Sequence, residues 1–165
     1  MNHREQTFEA LVRDNRDSIY RICRAYVYNK LWADDLYQEI LLQLWGSMDN
    51  YRGAAKLSTW VYRVAVNTAI TYNTRQKKHA YQPLPDMSGL PEDHMPAEDE
   101  QLHALYHAIN QLEPHDRLVI SLVLEGLSYK EIAEITGATV SNTGARISRI
   151  KTRIMNLTNP ENKAR

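Results

Sequence analysis

The amino-acid sequence predicts an all-α protein built as two small helical domains joined by a flexible acidic linker. Apolar residues recur at steps of three and four in both halves, and few stretches alternate apolar and polar residues as strands do. Between the halves, Pro83 to Glu100 reads PLPDMSGLPEDHMPAEDE, with four prolines, six acidic residues and no Lys or Arg. Proline stops a helix and like charges repel, so this stretch is expected to run extended. The expected boundaries are a first domain over 1–79, a linker over 80–100 and a second domain over 101–165. Few apolar residues are expected to bridge the two domains.

The elements follow in order. Phe8, Leu11, Val12, Ile19, Ile22 and Tyr26 lie along one side of a first helix. Leu36, Ile40 and Leu44 repeat at four-residue steps in a second. The loop NYRGAAKL follows, and Gly53 permits a tight bend in it. Ser58 suits the N-cap of a third helix whose inner stripe is Val61, Val64, Ala65, Thr68 and Tyr72. Beyond the linker, Leu102, Leu105, Ile109 and Leu112 make another stripe. Pro114 interrupts it, and HDRLVISLVLEG resumes the pattern as far as Gly126. Ser128 to Glu131 form a capping box for a short helix that buries Ile132, Ala133 and Ile135. Gly137 suits the left-handed end of that helix, and Ser141 the N-cap of the next. The last helix buries Thr143, Ile147, Ile150, Ile154 and Leu157 and carries Arg146, Arg149, Lys151 and Arg153 on its other faces.

Composition narrows the function. The formal net charge of zero makes no general case for nucleic acid, but the distribution of charge matters more than its sum. A single cysteine, Cys23, excludes an internal disulfide and suits a reducing, cytoplasmic setting. Its place beside Ile22 predicts a partly buried side chain. The polar N-terminus is unlike a signal peptide, and no apolar run approaches the roughly 20 residues of a membrane span. No nucleophile–base pair or phosphate-cradling glycine loop is present, so no catalytic residues and no cofactor are expected. His103 and His107 are four apart and His115 is near. Without a carboxylate or Cys to complete a set, His103 and His107 are expected to be two exposed histidines on a helix, not a metal site.

A short capped helix, a tight turn and a basic amphipathic helix have the spacing of a helix-turn-helix, whose second helix lies in the DNA major groove. The same spacing fits a helical hairpin with a solvated basic side. In the third helix, Arg63, Asn67, Thr71, Arg75 and Lys78 recur at steps of three or four opposite the apolar stripe. With Arg52 and Lys56 in the preceding loop, they suit a single strand with an extruded base.

The motif EGLSYKEIAEITGATVSNTGARISRIK resembles region 4 of bacterial sigma factors. ADDLYQEILLQLW and YRGAAKLSTWVYRVAVNTA independently resemble region 2, in the correct order along the chain. The two-block layout is similar to that of the small extracytoplasmic-function (ECF) sigma factors.

That resemblance implies a DNA-binding initiation factor for RNA polymerase with no catalysis of its own. It implies that Asp35, Gln38 and Glu39 dock on the clamp coiled coil of the polymerase core, with the flap and promoter DNA as further partners. Asn67 matches a base-contacting position at the −10 element, while Arg63, Arg75, Lys77 and Lys78 hold phosphates, joined by Arg52 and Lys56. Trp60 has two uses, burial in the core or stacking on a base, of which burial is the commoner; Tyr62 has the same two. Ser141, Asn142, Ala145, Arg146, Ser148, Arg149 and Arg153 are the residues matched to the −35 element. An anti-sigma factor is the further partner implied, with no membrane insertion by this chain.

One departure stands out. Gly144 and Ala145 occupy positions where the family has a long basic residue followed by Ser. No side chain extends at Gly144, so −35 reading is expected to be shallow, with −10 melting carrying more of the specificity. The rival readings are a stand-alone helix-turn-helix regulator and a sigma-like interaction protein with weakened −35 binding. The first leaves the Asp-Leu-x-Gln-Glu helix without a purpose.

Overall fold

The computed structural model of the chain describes residues 2–78, 100–159 and 161, with the side chains of 76–78 outside the described set. It contains seven α-helices and no strand among the described residues: α1 (His3–Tyr26), α2 (Lys30–Ser47), α3 (Leu57–Lys78), α4 (Glu100–Asn110), α5 (Pro114–Leu124), α6 (Tyr129–Thr136) and α7 (Val140–Thr158). A 3-10 turn, Met48–Asn50, ends the α2 region. No described helix is long and apolar enough to cross a membrane.

Local chemistry fixes the helix ends. Asn2 and Glu5 form a reciprocal capping box at α1, the amide of Glu5 donating to Asn2 Oδ1 at 2.8 Å. Asn29 Oδ1 accepts from the amides of Leu31 and Trp32 at the start of α2. Neither cap was expected from the sequence pattern: Asn2 has polar neighbours, and Asn29 lies between Val27–Tyr28 and Leu31–Trp32, where apolar residues run across the boundary and hide it. Pro114 is the first residue of α5, where its missing N–H leaves no bond unmade. The expected box at α6 is present, with the Glu131 amide 3.2 Å from Ser128 Oγ and the Ser128 amide 2.8 Å from the Glu131 carboxylate. Gly137 closes α6 at φ 74° and Gly53 bends the loop before α3 at φ 78°.

Two caps are corrected. Thr139, not Ser141, caps α7, its hydroxyl accepting from the Asn142 amide at 3.1 Å, so Ser141 lies inside the first turn. Helix α3 begins at Leu57 and the Trp60 amide already bonds to the Lys56 carbonyl, which places Ser58 inside that helix too. At α7 the earlier residue, Thr139, takes the extended backbone that an N-cap requires, at φ −79° and ψ 155°.

Helices α1, α2 and α3 pack as a three-helix bundle, and α4 to α7 form a second cluster. The centres of the expected stripes are buried, with Ile19, Ile22, Leu36, Ile40, Leu44, Val61, Ile109 and Ile147 among the largest enclosed side chains, while Phe8, Val12, Val64, Leu105, Ile154 and Leu157 are only partly buried. Leu102 departs from its stripe at 44% exposure, since it lies in the first turn of α4 where little packs over it. Cys23 is fully rather than partly buried, and that burial pushes its thiol pKa up.

The expectation that few apolar residues bridge the two blocks is also corrected. Helix α1 lies against α5 and α4, and α3 lies against α6, so the buried residues of both halves join in one apolar cluster. The acidic stretch 80–99 lies outside the described residues, as do the side chains of Lys77 and Lys78.

Candidate nucleic-acid interface

The site is built from the two basic helices and the loop before α3. In that loop Tyr51 donates its hydroxyl to the Ala55 carbonyl at 2.7 Å, drawing the turn closed around Gly53. The Tyr51 ring meets Trp60 with centroids 5.5 Å apart, and Trp60 is half-buried against the core. Tyr62 is buried at 8% exposure. Arg52 and Lys56 stand on the exposed rim of the loop. Lys56 is not unaccompanied there: its ammonium lies 3.5 Å from the carboxylate of Glu131 in α6.

Along α3 the polar stripe is displayed as expected, with Asn67, Thr71 and Arg75 exposed and Arg63 half-buried. Ile70, 45% exposed, stands among them and adds an apolar contact point that a search for basic residues passes over. The structure joins two residues that the sequence assigned to different partners, because Arg75 Nη2 lies 3.1 Å from Glu39 Oε2. Asp35, one turn before Glu39 on α2, and Gln38, the residue just before it, are exposed, and Asp34 accepts a 2.8 Å bond from the Tyr20 hydroxyl.

In the helix-turn-helix, Thr143, Ile147 and Ile150 seat α7 on its neighbours. That anchoring leaves Ser141, Asn142, Ala145, Ser148, Arg149 and Arg153 exposed on the outer side. Ser148, Arg149, Thr152, Arg153 and Asn156 line an open groove there. Arg146 is different. Its Nε lies 2.6 Å from Asp116 Oδ1, tying α7 to the first turn of α5. The nearby His115 has its pKa lowered by burial first and by the Arg146 charge second. Asp116 was not singled out from the sequence, since an acid thirty residues away carries no local signal of its partner.

Gly144 also gains a physical account. A Cβ at this position would lie 3.5 Å from Tyr129 Cδ2 and 3.6 Å from Cε2, which is ordinary contact distance. The glycine therefore faces the tyrosine of α6, and a long side chain at 144 would start against that ring before reaching DNA. His103 and His107 both meet Tyr28, with His103 Nε2 2.7 Å from the phenol oxygen and the His107 ring edge-on to it. No group of three or more His, Cys, Asp or Glu among the described residues could hold a metal ion.

Comparison with known proteins decides the family. Residues 11–79 match the model of sigma-70 region 2, and residues 102–154 match that of sigma-70 region 4. RNA polymerase sigma factor SigV of Bacillus subtilis is 30% identical over 88% of this chain and 90% of its own length. The ECF RNA polymerase sigma factor SigE of Mycolicibacterium smegmatis is 30% identical over 87% of this chain, which spans 58% of that longer relative. The chain belongs to the ECF RNA polymerase sigma factors. Its fold is also that of a solved sigma factor, RpoE of Bartonella quintana in complex with the anti-sigma factor NepR. That likeness has a TM-score of 0.72 at 21% identity, covering 92% of this chain and 96% of the other. The helix-turn-helix of this sigma factor is thus region 4, and the α1–α3 bundle contains region 2.

Proposed function

We infer that this sigma factor directs core RNA polymerase to promoters and acts there as a binding and melting subunit, without chemistry of its own. The observation that carries the reading is the outer face of α7. Asn142, Ser148, Arg149 and Arg153 are displayed side by side on a capped helix-turn-helix whose opposite face is anchored by Thr143, Ile147 and Ile150. Arg149 and Arg153 supply salt-dependent phosphate attraction, while Asn142 and Ser148 have the short polar groups that reach base edges. Arg146 acts as a positioning residue through Asp116. Region 2 opens the −10 element with Asn67 and the rim of Arg52 and Lys56. Trp60 supports that loop through Tyr51.

Polymerase docking falls to Asp35 and Gln38, with Glu39 shared between the polymerase and Arg75. An anti-sigma factor is the regulatory partner, a reading supported by the RpoE of similar fold, which is solved in complex with the anti-sigma factor NepR, and the cytoplasm is the compartment in which polymerase is met. Reconstituted transcription with core polymerase tests the whole reading, with start-site mapping to define the promoter. The sigma factor should initiate at discrete sites, and Asp35→Lys with Gln38→Lys should abolish initiation while leaving the helical circular dichroism unchanged. Duplex binding by the sigma factor alone, undiminished by loss of polymerase, would mark a stand-alone regulator.

A further inference from the structure

We propose that Ile70 reads a thymine of the −10 element through its C5-methyl group, with Thr74 beside it completing the apolar contact. This rests on the promoter-binding role given above. Ile70 is 45% exposed on α3 and stands within the polar stripe. It lies three residues after Asn67 and seven after Arg63, so helical spacing puts all three on one face. Val61, Ala65, Thr68, Ala69 and Tyr72 are buried on the opposite side, so Ile70 is turned away from the core of the bundle. Isoleucine is also a weaker helix former than Leu, Gln or Lys, so helix propensity does not account for it there.

The neighbours make the position an apolar island in a cationic setting. The hydroxyls of Thr71 and Thr74 donate back to the Asn67 and Ile70 carbonyls, each at 3.1 Å. Their one donor is thus spent within the helix, and their methyl groups are what they offer a ligand. Thr74 is four residues after Ile70, the adjoining place on the same face. On this exposed side Asn67 carries an amide that can bond to a base edge, and Arg63 and Arg75 carry charges for phosphates. A DNA strand answers both features at once, with an anionic backbone and, on thymine, a methyl group. Of the four bases thymine alone presents a methyl at its major-groove edge. The others present only donors and acceptors there, which Ile70 would cover without pairing.

The test uses core polymerase reconstituted with the parent chain, with Ile70→Val or with Ile70→Gln, and a promoter library randomised across the −10 element. Sequencing the DNA retained in open complexes gives the base preference of each protein. The parent should favour thymine at one position. Ile70→Val keeps the branched apolar end and should retain that preference. Ile70→Gln should lose it at that position alone and keep the preferences at the others. Glutamine is the better helix former and the site is exposed, so this variant should fold, and its melting temperature checks that it does. Deoxyuridine then replaces the favoured thymine, which removes the methyl and leaves every base-pairing group in place. The affinity of the parent complex, read by fluorescence anisotropy of the labelled fragment, should fall about fourfold, as expected for one methyl withdrawn from an apolar contact. The Ile70→Gln complex should bind the two fragments equally. A thymine preference that survives in Ile70→Gln, a loss spread evenly over all positions, or deoxyuridine without effect on the parent would overturn the proposal. A parent chain that retains no promoter DNA with polymerase would overturn the promoter-binding reading and the proposal together, an outcome distinct from the other three.

Discussion

Removing the carboxylate that holds Arg146 distinguishes a positioning residue from a base reader. The pair is short, at 2.6 Å, and its side chains are 41% and 23% exposed for Arg146 and Asp116. Fully exposed pairs contribute about 0.2–1 kcal/mol, and breaking buried ones costs about 3–5 kcal/mol. A half-buried pair between the first turn of α5 and the middle of α7 belongs between these, at about 1–2 kcal/mol. In a chain of this size each kcal/mol moves the midpoint by about 2–4 °C, so Asp116→Ala and Arg146→Ala should each lower Tm by about 2–8 °C. The double mutant should be little worse than either single one, giving a coupling energy of about 1–2 kcal/mol in a double-mutant cycle. Promoter binding by the polymerase complex, measured on a panel of −35 variants, completes the assay. Arg146→Ala should weaken binding evenly across the panel, because the orientation of α7 is loosened. The reasoning fails if the coupling is near zero and Arg146→Ala loses about 1–3 kcal/mol of discrimination at one base pair, the signature of a direct reader.

Ser128→Ala removes the hydroxyl that caps α6 and should cost about 1 kcal/mol, read as a fall of about 2–4 °C in Tm. Gly144→Ala places its methyl 3.5 Å from the Tyr129 ring and raises helix propensity, so it should stabilise by up to about 1 kcal/mol in denaturant melts with −35 binding retained. His115 has a folded pKa below its ordinary 6.5, so the unfolded chain takes up that proton first as the pH falls. Its contribution should therefore leave stability intact above pH 6.5, reduce it as the pH drops through that value, and level off once the folded imidazole is also protonated. His115→Gln should flatten that part of the urea-midpoint profile against pH.

What the sequence by itself determined was local. Periodicity found the apolar faces of Leu36, Ile40 and Leu44 and of Ile147 and Ile150, because a helix repeats every 3.6 residues whatever it packs against. The box at Ser128 and the left-handed glycines at 53 and 137 were legible for the same reason, since each answers to its immediate neighbours. The family motifs singled out surface residues such as Asp35, Asn67 and Arg149 as expected contacts, which packing alone does not distinguish. Tertiary structure decided the partners of charge. Arg146 with Asp116, Arg75 with Glu39 and Arg21 with Glu125 join residues 30, 36 and 104 positions apart, and no periodic pattern encodes which of several surface acids an arginine will meet. It also decided that α1 and α5 share one apolar cluster and that Tyr129 lies over Gly144. Those outcomes depend on how whole helices dock, a choice made by the summed burial of many side chains and not by any segment taken singly.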